Sequence, residues 1–149
     1  MRTVVVGYGM AGARLVTELR ARVPHGEVTV LGAEAHRAYN RILLSNLVAG
    51  KVREADVAMV EPGGAVDVRL GTEAVALDLA GRTVSTSDGD RLRYDRLVLA
   101  TGSRALLPPI KGLVRDDGTL PERVAPFRTL DDCRRIVALA AGARSALVL

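Results

Sequence analysis

Apolar and polar positions along the chain fall into blocks of different period, and each block predicts a different element. Thr3-Val4-Val5-Val6 is β-branched throughout and apolar from Val4 on, the pattern of a parallel strand covered on both faces. From Met10 the period becomes helical. Met10, Ala13, Leu15, Val16 and Leu19 recur on one side, with Arg14, Glu18 and Arg20 between them. Pro24 and Gly26 stop that helix, and Val28-Thr29-Val30-Leu31 makes a second apolar run that breaks at Gly32. Strand, glycine turn, helix and strand within about 30 residues form a βαβ unit, whose crossover is expected to be right-handed.

The pattern then changes. Residues 36–64 show no clean period, although Leu43-Leu44-Ser45-Asn46-Leu47-Val48 predicts a short helix packed on the sheet. From 68 to 94 the chain reads as strands. Ala74–Asp78, Thr83–Thr86 and Leu92–Tyr94 are separated by turns at Ala80-Gly81 and Asp88-Gly89-Asp90, which predicts a small antiparallel meander. Leu97-Val98-Leu99-Ala100 is a further buried strand ending at Thr101-Gly102. Residues 105–127 carry Pro108, Pro109, Pro121 and Pro126 and read as an extended connection. A helix follows from Asp131 to Ala141, with Thr129 or Asp131 as its cap and Gly142 at its end. The sequence stops within Ala146-Leu147-Val148-Leu149, a buried-strand pattern, and so reads as truncated inside a fold.

Composition narrows the classes. A chain of 149 residues has room for one domain, and 48% hydrophobic with 26% charged residues is ordinary for a soluble protein. Aromatics at 3%, with no Trp, leave little to build base-stacking platforms. The net charge is +4, and every basic residue except Lys51 and Lys111 is Arg. These arginines are scattered among acids, not gathered into a stripe, so no nucleic-acid partner is expected. No stretch approaches the roughly 20 apolar residues of a membrane span, and no signal peptide is recognisable. The lone Cys133 excludes an internal disulfide and reads as a small buried helix residue. A reducing, cytoplasmic setting is the expectation. His25 and His36 read as loop residues, no His/Asp/Glu cluster has metal spacing, and neither Ser45 nor Ser103 is marked as a nucleophile.

The motif that carries chemistry is Gly7-Tyr8-Gly9-Met10-Ala11-Gly12, lying between the first strand and the first helix. Gly7 suits the tight turn, Gly9 lets the backbone approach a pyrophosphate, and Gly12 lets helix and strand pack closely. The N–H groups of Met10 and Ala11 open the helix and face the phosphates with its positive dipole end. An acid after the second strand would accept ribose hydroxyls, and Glu34 lies 22 residues beyond Gly12, near the expected offset. A plain nicotinamide enzyme would continue in further βαβ units. The meander inserted before the next buried strand favours a flavin dinucleotide, FAD. A nicotinamide-binding module without flavin, and a non-catalytic remnant of such a domain, remain the alternatives.

Four stretches carry a family resemblance: Val6–Gly12, Ala38-Tyr39-Asn40-Arg41-Ile42-Leu43-Leu44-Ser45, Tyr94-Asp95-Arg96-Leu97-Val98-Leu99-Ala100-Thr101-Gly102-Ser103, and Leu107-Pro108-Pro109-Ile110-Lys111-Gly112. With them the chain resembles the FAD-binding part of pyridine nucleotide-disulfide-type oxidoreductases. It is most similar to the group of the NAD(P)H-nitrite reductase large subunit and the rubredoxin and ferredoxin reductases. The resemblance implies an α/β fold, a Rossmann-like parallel sheet with an inserted antiparallel meander. It implies FAD as cofactor, NAD(P)H as co-substrate of the full-length family, and hydride transfer from nicotinamide to FAD followed by electron transfer to an acceptor. It further implies that Arg41 lies near the FAD phosphates or ribose, that Ala74 touches the adenine through its backbone, and that Ala100, Thr101 and Gly102 bring a second strand end to the cofactor. Residues 1–127 would be the FAD-binding domain, and 128–149 the connection to, and first strand of, a missing NAD(P)-binding domain. That missing half and a redox acceptor protein are the partners so implied. The chain departs from the family pattern at two places: Ala33 stands where many relatives carry an acid, and Asn46 where close relatives carry lysine.

Overall fold

The computed structural model describes residues 1–149 and divides them into two compact units, each drawn from two stretches of chain. The first comprises Met1–Asn40 and Ala58–Gly102, the second Arg41–Val57 and Ser103–Leu149.

At the centre of the first unit is a four-stranded parallel sheet. Strand β1 (Arg2–Val6) leads into helix α1 (Met10–Arg22), which returns to strand β2 (Glu27–Gly32). Strand β3 (Asp67–Leu70) adds to β2 and strand β7 (Arg96–Leu99) to β1, giving the order β3-β2-β1-β7 with all neighbours parallel. Between β3 and β7 the chain forms the antiparallel meander β4 (Ala74–Asp78), β5 (Thr83–Thr86) and β6 (Arg91–Arg93). The α/β class, the βαβ start and the meander are as the sequence pattern predicts.

Strand β1 reads as continuously apolar because both of its faces are covered. Val5 packs with Val28 and Val30 of β2 and with Ala13 and Val16 of α1 on one side. On the other, Val4 and Val6 pack with Leu31, with Val84 of the meander and with Tyr94. Successive strand residues point to opposite faces, so one strand serves both cores. Val5, Val16, Val30 and Val84 are fully buried, and truncating such a side chain leaves a cavity that the packed layers fill only in part.

The second unit is built around helix α3 (Leu130–Ala140) and the short helix α2 (Leu44–Val48), which continues from a single 3-10 turn at Arg41–Leu43. Thr129 is the cap of α3, not Asp131. Its side chain accepts from the Asp132 amide at 3.1 Å, and the Asp132 carboxylate accepts from the Thr129 amide at 2.7 Å, a reciprocal capping box. Helix α2 packs against α3, where the sequence pattern foresaw the sheet. Cys133 of α3 is buried, its Sγ 4.0 Å from the Leu44 carbonyl oxygen. Arg134 joins α3 to Glu54 on the turn Glu54–Val57.

Two burial expectations fail. Leu97-Val98-Leu99 does lie in a strand, β7, but at the edge of the sheet and not buried, Leu99 being 60% exposed. Ala146–Leu149 is not a buried strand: it forms no ladder, and Leu147 and Val148 are 85% and 91% exposed. An apolar run becomes a strand only where a neighbouring strand offers its backbone groups, and none lies alongside these four residues.

Candidate functional site

The glycine turn leaves the carboxyl end of β1 between β2 and β7. The Gly7 amide donates to the Leu31 carbonyl at 2.8 Å, and the Ala100 amide donates to the Val6 carbonyl at 2.7 Å, so three strand ends meet there. Gly7 has φ +110°, a conformation that an L side chain resists, and a Cβ on it would overlap the Ala100 carbonyl. A Cβ on Gly12 would overlap the Gly7 carbonyl oxygen and come within 3.8 Å of Ala100 Cβ. Helix α1 is therefore seated directly on the turn that starts it.

Gly9 is different. It caps α1 with extended backbone angles and no side-chain cap, and a Cβ built on it meets nothing within 4 Å. The first helical hydrogen bond runs from the Ala13 amide to the Gly9 carbonyl at 2.9 Å. The preceding amides, those of Met10, Ala11 and Gly12, belong to the turn whose N–H groups have no acceptor within the helix. Ala11 is exposed and Met10 partly so. Open space over Gly9 and a helix end without a side-chain cap make a site for an anionic group, with the dipole of a 13-residue helix behind it.

Glu34 stands two residues past β2. Its backbone carbonyl accepts from the Gly71 amide at 3.0 Å, and its carboxylate accepts from the Tyr39 hydroxyl at 2.6 Å. Thr72 donates to the Gly32 carbonyl at 2.9 Å, so the chain entering β4 crosses the end of β2 before reaching Ala74. Ala74 itself packs against the core formed by Val4, Val6, Leu31, Val84 and Tyr94. Thr101 and Gly102 are exposed beyond β7, Gly102 turning with φ +72°. Gly7, Gly9, Met10, Ala11, Gly12, Glu34, Ala74, Ala100, Thr101 and Gly102 all belong to the first unit. Arg41 belongs to the second, where its Nη1 donates to the Arg128 carbonyl at 2.9 Å.

Tyr8, the residue inside the glycine motif, has no role in the sequence pattern. Its ring is buried in the core beneath the turn, and a Cβ on Gly32 would stand 3.1 Å from Tyr8 Cβ. Burial and the nearby Glu61 carboxylate push the Tyr8 phenol up from its ordinary value. Glu61 is in turn paired with Arg37 at 2.5 Å. Nothing in the sequence signals this linkage, because Tyr8 and Glu61 lie far apart along the chain. No group of His, Cys, Asp and Glu side chains is arranged to hold a metal ion, and no helix is long and apolar enough to cross a membrane.

A parallel β3-β2-β1-β7 sheet whose first strand turns through Gly7–Gly12 into a close-packed helix defines a Rossmann-type α/β fold. The family model described as pyridine nucleotide-disulphide oxidoreductase matches residues 1–148, and the chain belongs to that family. It is 38% identical to the ferredoxin–NAD(+) reductase component of the biphenyl dioxygenase system of Paraburkholderia xenovorans, over 72% of this chain and 28% of that protein. It is 32% identical to the nitrite reductase [NAD(P)H] large subunit of Klebsiella oxytoca, over 98% of this chain and 15% of that one. The solved structure of the covalent putidaredoxin reductase–putidaredoxin complex superposes with a TM-score of 0.82 at 30% identity, covering 92% of this chain and 33% of that one. The chain thus spans a third or less of the length of these relatives.

Proposed function

We propose that this chain is the FAD-binding portion of a flavin-dependent NAD(P)H oxidoreductase. The single observation that carries the reading is the contrast among the three glycines of the turn. A Cβ on Gly7 or Gly12 would overlap a backbone carbonyl, while the space over Gly9 is open in front of an uncapped helix end. That is the cradle a pyrophosphate requires.

In this reading the amides of Met10, Ala11 and Gly12 bind the pyrophosphate, and Glu34 accepts the adenosine ribose hydroxyls. Ala74 passes its backbone along the adenine, and Ala100, Thr101 and Gly102 line the cofactor from the end of β7. Arg41, in the second unit, is assigned to the phosphates or ribose by the family resemblance alone. The flavin, when bound, supplies the redox chemistry, passing electrons from NAD(P)H to an acceptor such as nitrite reductase centres or a small redox protein. The protein's share is to bind and orient it, and no side chain here is assigned as a catalytic acid or base. The family resemblance further assigns residues 1–127 to the FAD domain and 128–149 to the approach to an NAD(P)-binding domain. The lone, buried Cys133 suits a reducing, cytoplasmic setting.

Purification tests the reading. A yellow protein with flavin absorption, or a colourless one that takes up FAD stoichiometrically, supports it. A protein that binds NADH but neither FAD nor FMN favours the nicotinamide module. No melting shift with FAD, FMN, NADH or NADPH favours a remnant without cofactor, because a ligand that binds only the native state must raise its stability.

A further inference from the structure

Glu34 does not stand alone at the end of β2. We infer that Tyr39 is a positioning residue for the dinucleotide: its hydroxyl holds the Glu34 carboxylate in the orientation that receives the adenosine ribose. The inference rests on the FAD reading above and deepens it.

Three features of the segment from Glu34 to Tyr39 support this. The first is the hydrogen bond itself, 2.6 Å from the Tyr39 hydroxyl to Glu34 Oε2, short and to a charged acceptor, and so among the stronger kinds. The second is the rigidity of the donor. Tyr39 is 5% exposed and its backbone is pinned in an antiparallel bridge to Ala58, beside a 2.9 Å bond from the Met59 amide to the Ala38 carbonyl. Ala38, its neighbour, is buried in the core between α1 and the sheet. The third is the rigidity of the acceptor's backbone, held by the Gly71 amide on the Glu34 carbonyl at 3.0 Å. A glutamate side chain has three rotatable bonds, and ordering them on binding costs affinity. Here that ordering is already done in the unliganded fold.

The test compares ADP with 2′-deoxy-ADP as probes, titrated calorimetrically into the 149-residue chain and its variants. Wild type is expected to prefer ADP by about tenfold, the worth of one hydrogen bond to a charged group. In Tyr39→Phe the ring and its packing stay, ADP affinity falls, and the preference shrinks to about twofold or less. In a Glu34→Ala background, Tyr39→Phe should cause no further loss of ADP affinity, because the hydroxyl acts through the carboxylate. A merely structural tyrosine would weaken both probes equally and leave their ratio at the wild-type value; that result overturns the inference while leaving the FAD reading intact. Wild type that binds neither probe overturns the FAD reading and this inference together. Melting curves of each unliganded variant establish that the fold is retained.

Discussion

Gly12 rests on the Gly7 carbonyl so closely that a methyl group at Gly12 would occupy the same space as that oxygen. The contact joins the first turn of α1 to the end of β1, and it holds the amides of Met10 and Ala11 where the open space over Gly9 begins. Gly12→Ala is therefore expected to lower the unfolding free energy by about 3 kcal/mol, since backbone must shift to admit the Cβ. Gly7→Ala should cost at least as much, because it adds an unfavourable φ to a clash with Ala100. Urea denaturation of the two variants checks both. A loss below about 0.5 kcal/mol would mean that the helix is not seated in this way.

The second unit offers a separate test. Thr129→Ala removes one half of the capping box with Asp132 and should lower stability by about 1 kcal/mol, with Thr129→Ser restoring most of it. Denaturant midpoints read out the difference. Hydrogen exchange at the first amides of α3 would show that the loss is local to that helix end.

Tyr8 predicts an alkaline signature. Its folded-state pKa lies above the ordinary phenol value of 10.0, because burial and Glu61 disfavour the phenolate. The folded chain therefore holds this proton more tightly than the unfolded chain does. The contribution is fully present below pH about 10 and is lost as the pH rises through the folded-state value. Tyr8→Phe should flatten the fall in stability above that pH. Melting temperatures of the two proteins across the alkaline range test it, and parallel curves would contradict the assignment.

Cys133 should resist alkylation in the folded chain. It is 1% exposed, and burial together with the neighbouring Asp132 pushes its thiol up from the ordinary value. Labelling with a thiol reagent at neutral pH should track unfolding by urea, and rapid labelling of the native chain would contradict the packing of α3 on α2.

Elements whose formation depends on near neighbours could be read from the sequence. The β1–α1–β2 unit was legible because glycines, a helical period and two apolar runs fall within one short stretch. The meander was legible because Gly81 and Gly89 mark its turns and Thr83 to Thr86 alternate. Strand β3 was harder: Asp67-Val68-Arg69-Leu70 alternates as the meander does, yet it pairs with β2 in the parallel sheet. Pairing with a strand so far back in the chain leaves no local trace. The same limit explains Ala146–Leu149, where the strand pattern is present and the partner is not. It also explains why Arg41–Val57 and Ser103–Leu149 could not be seen to form one unit. At the site, the glycines and Glu34 were legible from spacing alone. The Tyr39 hydroxyl on Glu34 and the Glu61 carboxylate at Tyr8 required the fold.

The central claim, that the turn over Gly9 receives the FAD pyrophosphate, is tested most directly by titrating FAD into the wild-type chain and Gly9→Val. The Gly9 backbone angles suit valine, and nothing lies within 4 Å of the added Cβ, so the variant should fold and melt within about 4 °C of wild type. The account predicts that wild type binds FAD and is stabilised by about 2.7 kcal/mol at a hundredfold excess over its dissociation constant. It predicts that folded Gly9→Val binds none. Undiminished FAD binding by Gly9→Val would contradict it.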